Sequence, residues 1–92
     1  MASTPAFTPR TFGQNLRRLR KARGYSQEGF AHDSGIDRSY FGGVERGDRN
    51  PSLTMILAIA KALDVPPALL FEADAERFDA AVGAIRAHRD GE

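Results

Sequence analysis

The sequence predicts an all-α fold: a compact five-helix domain with a sixth helix at its C-terminal end. Three observations carry that prediction. Apolar residues return every three or four positions, as in Phe12, Leu16 and Leu19 or in Leu53, Ile56, Leu57, Ala60 and Leu63, which is the period of one helix face. Side chains able to cap a helix stand just ahead of these stripes, at Thr8 or Thr11, Ser26, Asp37, Ser52 and Asp74, where an oxygen can accept from an orphaned backbone N–H. Clusters of glycine, proline and small polar residues separate the stripes, and such clusters mark turns. The boundaries drawn this way give a flexible arm over 1–8, a domain over 9–72 and a helical extension over 73–92.

Taken in order, residues 1–8 are small, polar and interrupted by proline. Helix 1 starts at Thr8-Pro9 or at Thr11, and Thr11 with Gln14 has capping-box spacing. Phe12, Leu16, Leu19 and Ala22 form its stripe, Arg20 lies beside it, and Gly24 ends it. Helix 2, about 27–33, is capped by Ser26, buries Phe30 and Ala31, and stops at Ser34-Gly35, a place for positive φ. Ile36 turns inward, Asp37 caps helix 3 over about 38–45, and Phe41 with Val44 gives its buried side. A turn cluster, Gly47-Asp48-Arg49-Asn50-Pro51, leads to Ser52 and helix 4, the most hydrophobic helix and the expected centre of the fold. Asp64-Val65-Pro66-Pro67 breaks it, and Pro67 opens helix 5 with Leu69, Leu70 and Phe71. In helix 6, Phe78, Ala81, Val82 and Ile85 share a face, and the tail from His88 should fray.

Composition narrows the function. Hydrophobic residues make up 41% and charged residues 27%, the profile of one ordered, soluble domain. The absence of cysteine removes disulfides and thiolate metal sites as sources of stability. No apolar run approaches the roughly 18–20 residues of a membrane span. The first nine residues, MASTPAFTP, lack the features of a signal peptide. A cytoplasmic protein without membrane contact is expected. Net charge is only +1, but it is unevenly spread: through Arg49 nine basic residues face five acidic, and from Asn50 four face seven. A polarised molecule with one side for phosphates fits that pattern.

An enzyme is not expected. His32 and His88 lack partners at metal-ligand spacing, so neither metal nor cofactor is assigned. His32-Asp33-Ser34 holds the residue types of a hydrolytic triad, yet triads converge from separate segments. Gly42-Gly43 lacks the strand and lysine of a phosphate loop.

Helices 2 and 3, joined by about three residues that include Gly35, have the layout of a DNA-binding helix-turn-helix. Ser26-Gln27, Ala31, Gly35-Ile36, Glu45-Arg46-Gly47, Asn50-Pro51-Ser52 and Ala60-Lys61-Ala62-Leu63 stand in an order and spacing that resembles the phage-repressor (Cro/Xre-type) family from about Phe12 to Phe71. The resemblance implies a repressor-like five-helix domain that binds operator DNA as a dimer, with helix 3 in the major groove. It puts Arg38, Ser39 and Gly43 at base-facing positions, Arg38 being the best reader because its fork can donate twice to guanine. Gln27, Tyr40, Arg46, Arg49 and Asn50 become phosphate contacts, and Arg20 with Glu45 a structural ion pair. Arg17, Arg18 and Lys21 fall on the side away from DNA and add long-range field. Gly42-Gly43 departs from the family pattern, and each glycine costs a helix about 1 kcal/mol relative to alanine.

Two classes of function follow: a sequence-specific regulator of double-stranded DNA, or a protein-binding module such as a scaffold or antitoxin. An exposed, basic helix 3 separates the first from the second. Phage repressors, restriction-system controllers and antitoxins share this size, so the role stays open, and an antitoxin or controller would add a partner protein. For a homodimer, the interface is expected at Leu69, Phe71, Phe78, Val82 and Ile85. The competing reading folds helix 6 back onto its own domain.

Overall fold

The computed structural model describes residues 6–90. Its helices are α1 (Pro9–Ala22), α2 (Gln27–Ser34), α3 (Arg38–Arg46), α4 (Leu53–Leu63), α5 (Pro67–Leu70) and α6 (Ala75–Asp90). No strand occurs among the described residues, and no helix there is long and apolar enough to cross a membrane.

Local chemistry sets the helix ends. Thr8 caps α1: its hydroxyl accepts from the Thr11 N–H at 3.1 Å, and its own N–H donates to the Thr11 hydroxyl at 3.4 Å. The capping box is therefore Thr8–Thr11 and not Thr11–Gln14. Ser26, Asp37 and Ser52 accept from the backbone three residues on, at 2.9, 2.9 and 3.1 Å, and Asp74 accepts from Glu76 and Arg77. Gly35 and Gly47 end α2 and α3 with φ of 70° and 85°, where a β-carbon would clash. Asp64 ends α4 with φ 55°. There Arg23 reaches across to donate to the Leu63 and Asp64 carbonyls at 2.8 and 2.6 Å, placing a cation on a helix C-terminus.

The centre of the fold is α1, not α4. It packs against α3, α5 and α6 and buries Phe12, Leu16, Leu19 and Ala22. Of the stripe expected on α4, Ala60 and Leu63 are buried together with Ile59, and Ile56 is half-buried. Leu53 and Leu57 are 69% and 48% exposed. The first half of α4 overhangs the core, with residues 52–58 exposed or half-buried, so its outer leucines meet solvent.

Two contacts fix the neighbours of α1. A β-carbon on Gly13 would run into the Val44 and Glu45 carbonyl oxygens, so only glycine lets α1 and α3 cross this closely. The buried amide of Asn15 donates to the Leu70 and Glu72 carbonyls, both at 3.0 Å, and ties down the end of α5.

Helix α6 folds back. Phe78 and Val82 are buried within the chain's own core, and Ile85 and Leu69 pack partly against it. Side chains already buried by their own domain have no surface left for a second copy, which removes Phe78 and Val82 from the expected dimer interface. Of that set only Phe71 stays largely exposed, at 47%. The expected arm is also partly tied down: Phe7 packs on Phe71 at 5.8 Å, Thr8 is a cap, and residues 1–5 of the arm lie outside the described residues. At the other end α6 continues to Asp90, and Arg89 lies over Gly24.

Candidate nucleic-acid interface

The angle between α2 and α3 follows from their junction. The left-handed Gly35 reverses the chain, the Ile36 N–H returns to the Ala31 carbonyl at 2.9 Å, and Ile36 packs on the core. Behind the turn, Phe30 and Phe41 meet at 5.1 Å between ring centroids, and Phe30 also takes the edge of Tyr25 at 5.3 Å. Phe41 and Val44 bury the inner side of α3.

A polar clamp completes that inner side. Arg20 Nε donates to Glu45 Oε2 at 2.7 Å and Nη2 to Oε1 at 3.1 Å, while Nη1 donates to the Tyr25 carbonyl at 2.8 Å. Gln27 Nε2 donates to the same Oε1 at 2.9 Å. One carboxylate on α3 thus takes donors from α1 and α2 together. Gln27, expected at a phosphate, is half-buried and engaged in this network through its side chain.

The outer side of α3 is open. Arg38 and Ser39 are exposed at its N-terminal end. Arg38, Ser39, Gly42, Arg46 and Gln27 line one recess, and no carboxylate is among its lining residues. Arg46 pairs with Asp48 at 3.1 Å but stays 65% exposed. A second recess beside it is lined by Arg10, Gln14, Arg17, Glu45, Arg46 and Asp48. Arg17 therefore sits next to α3 rather than on a remote side, whereas Arg18 turns to α6.

Two further expected contacts, Gly43 and Tyr40, sit differently from their assignments. Gly43 is buried, because the Arg49 side chain crosses it. Tyr40 is half-buried against the core and its hydroxyl donates to the Asn50 carbonyl at 3.4 Å, so only its edge is available to a ligand. Arg49 and Asn50 are exposed in the loop after α3. Sequence reasoning missed Gly13, Asn15 and Arg23. A glycine inside a helix stripe is a signal of close approach, but the partner of each of these residues lies on a distant segment.

The arrangement offers donors and no reacting pair. His32 lies on the surface 3.4 Å from Asp33, and the buried Ser34 hydroxyl has no hydrogen-bond partner, so His32, Asp33 and Ser34 assemble no relay. Arginine forks and a hydroxyl facing outward from α3 can bind an anionic polymer through its backbone and its base edges.

Comparison with known proteins gives the same outline. A family model described as helix-turn-helix matches residues 16–70. The HTH-type transcriptional regulator YazB of Bacillus subtilis is 44% identical over 54 residues, 59% of this chain and 78% of that protein. The crystal structure of the restriction-modification controller protein C.AhdI from Aeromonas hydrophila is 60% identical with a TM-score of 0.66, covering 68% of this chain and 96% of that one. A third, the controller protein C.Esp1396I solved as a tetramer in complex with its natural 35-base-pair operator, is 27% identical with a TM-score of 0.64. It covers 85% of this chain and 97% of that one.

Proposed function

This chain belongs to the Cro/Xre-type helix-turn-helix family and is a transcriptional regulator with a DNA-binding fold; from that premise we propose that it reads a specific site in double-stranded DNA as a symmetric dimer. In this reading α3 enters the major groove, Arg38 and Ser39 meet base edges, and the N-terminus of α2 with Gln27, Tyr40, Arg46 and Asn50 holds the backbone. The protein works in the cytoplasm, and its role is control of a restriction-modification system, the role borne by the controller relatives.

The observation that carries the proposal is the recess around Arg38. Two arginines and a serine of α3 line one outward recess, with Gln27 of α2 at its edge and no carboxylate among the lining residues. A protein-binding antitoxin surface has no need of that bias. Dimerisation is supported by the exposed apolar groups. One domain offers a single short reading helix, and pairing two supplies half-sites about 10 bp apart. With Phe78 and Val82 occupied internally, the surface for a second copy is the outer face of α4, Leu53 and Leu57. Phe71 continues it, since it shares a recess with Ile56.

Selection of bound sites from random duplex DNA, followed by titration at several salt concentrations, tests the proposal. The expected result is a two-fold site and binding that weakens by orders of magnitude over a two- to four-fold rise in salt, because neutralised phosphates release counterions. Arg38→Ala should lose roughly 1–3 kcal/mol on that site and relax one base-pair position per half-site. A flat salt response overturns DNA as the partner. A chain that sediments as a monomer at all concentrations, free and bound, overturns the dimer.

A further inference from the structure

The basic residues in and just after α1 divide by the side of the helix they occupy. Arg18, Arg20 and Arg23 are committed within the chain: Arg18 to Asp79, Arg20 to Glu45, and Arg23 to the Leu63 and Asp64 carbonyls. Arg10, Arg17 and Lys21 are exposed and have no hydrogen-bond or ion-pair partner among the described residues. Gln14, Arg17 and Lys21 follow Arg10 at i+4, i+7 and i+11, which is one strip of a helix. No acidic residue in α1 is there to pair with them.

That strip runs beside α3. A β-carbon on Gly47, just past the end of α3, would lie 2.8 Å from Arg10 Cα. One on Gly13 would meet the Val44 and Glu45 carbonyl oxygens, so the first half of α1 abuts the last turn of α3. Arg10, Gln14 and Arg17 line a recess together with Glu45, Arg46 and Asp48. Both carboxylates of that recess are engaged, Glu45 by Arg20 and Gln27, and Asp48 by Arg46. Two guanidiniums of α1 are thus left there without a counter-charge. Arg46 also lines the recess of Arg38 and Ser39, which makes the two recesses continuous.

We propose that Arg10 and Arg17, with the Gln14 amide between them, form a second backbone-holding surface on α1, taking phosphates beside the one held by Arg46. This rests on the DNA-binding reading above, and it turns Arg17 from a source of long-range field into a direct contact. Phosphates suit the strip better than base edges do. In that reading α3 fills the groove, which leaves to its neighbour the sugar–phosphate strand at the groove's edge. Guanidinium forks pair with phosphate oxygens two at a time. Like charges around one recess repel each other until an anion enters between them.

The test titrates the parent's selected site and an unrelated duplex at several salt concentrations. It compares the parent, Arg17→Ala, the double variant Arg10→Ala with Arg17→Ala, and Arg86→Ala. Arg86 is exposed on α6, so its loss removes the same charge from the other side of α1. Arg17→Ala should weaken both duplexes by one common factor, about 2- to 5-fold per subunit. It should lower the salt slope by about one per subunit, and the double variant by about two. The selected motif should stay that of the parent, because phosphates carry no sequence. Ethylation of single phosphates flanking the half-site should block the parent and leave the double variant's residual binding unaffected. Arg86→Ala should bind like the parent. If Arg17→Ala and Arg86→Ala weaken binding alike, the arginines act through net charge alone and the inference is overturned. An unchanged salt slope in the double variant overturns it as well, and so does a changed motif, which would make the strip a base reader. A parent chain that binds no duplex overturns the underlying reading instead.

Discussion

Helix α1 is held on two sides by an arginine paired with a carboxylate, and the two contacts do different things. Toward α3, Arg20 meets Glu45 at 2.7 Å with the side chains 6% and 3% exposed. Toward α6, Arg18 meets Asp79 at 2.6 Å with the side chains 49% and 61% exposed. Residues two apart on a helix point about 200° from each other, so α3 and α6 lie on opposite sides of α1. The distances are nearly equal and the surroundings are not. Water screens the outer pair and leaves it worth about 0–1 kcal/mol. The inner pair has lost its water, and its charges are tolerated because Tyr25 and Gln27 complete the hydrogen bonding. What holds α6 is the burial of Phe78 and Val82; α3 buries Phe41 and Val44 and has in addition a fork that accepts one orientation of one carboxylate. Directional chemistry is added under the helix proposed to read DNA, and non-directional burial alone holds α6.

The largest expected effect strikes the inner pair. Glu45→Ala strands the Arg20 guanidinium and frees the Gln27 amide, which should cost about 3–5 kcal/mol. For a domain of this size that corresponds to a fall of roughly 15–30 °C in melting temperature. Because total stability is often only about 5–15 kcal/mol, duplex binding should fail together with the fold. Thermal denaturation followed by circular dichroism gives the answer. A variant melting within about 2 °C of the parent would erase the contrast between the two sides of α1.

Phe78→Ala probes the other side. Removing a buried ring on α6 should cost about 3 kcal/mol, from lost transfer energy and the cavity left behind. The distinguishing readout is function. Well below its melting point this variant should still select the parent's DNA site, because α3 keeps its clamp on the far side of α1. Loss of the motif in a folded Phe78→Ala protein would mean that α6, too, positions the helix proposed to read DNA.

Local features were legible in the sequence, and directions were not. Ser26, Asp37 and Ser52 announce their helices because a cap acts on the residue three positions on. Gly35 and Gly47 announce left-handed ends for a similarly local reason. The pairing of Arg20 with Glu45, 25 positions apart, came from a family resemblance and from no spacing rule. Helix α4 misled because LTMILAIAKAL is apolar nearly all round, so its sequence does not say which strip faces inward. The helical period puts Leu53 and Leu57 in the core, and they lie outside; the stripe on helix 6 offers Phe78 and Val82 to an interface, and they lie inside. Gly13 and Arg49 owe their meaning to segments far away or to a loop conformation, which periodicity does not carry.

The smallest expected effect is the one that isolates burial from geometry. Asp79→Ala removes an ion pair slightly shorter than the buried one, yet it should cost only about 0.2–1 kcal/mol, a few degrees of melting temperature at most. Arg18 has a second hold, its guanidinium carbon lying 5.0 Å from the centroid of the Phe78 ring, so the arginine keeps its place when the carboxylate goes. Salt sharpens the test. At about 1 M the Debye length falls to roughly 3 Å, so the difference between Asp79→Ala and the parent should vanish there. The loss in Glu45→Ala should persist, since ions do not enter a site from which water is excluded. If both differences faded together with salt, the Arg20–Glu45 pair would be wet in solution and its orientation of α3 would need another cause. If Asp79→Ala instead cost as much as Glu45→Ala at every salt concentration, the Arg18 contact would be the clamp, and α6 would be as firmly placed as the helix proposed to read DNA.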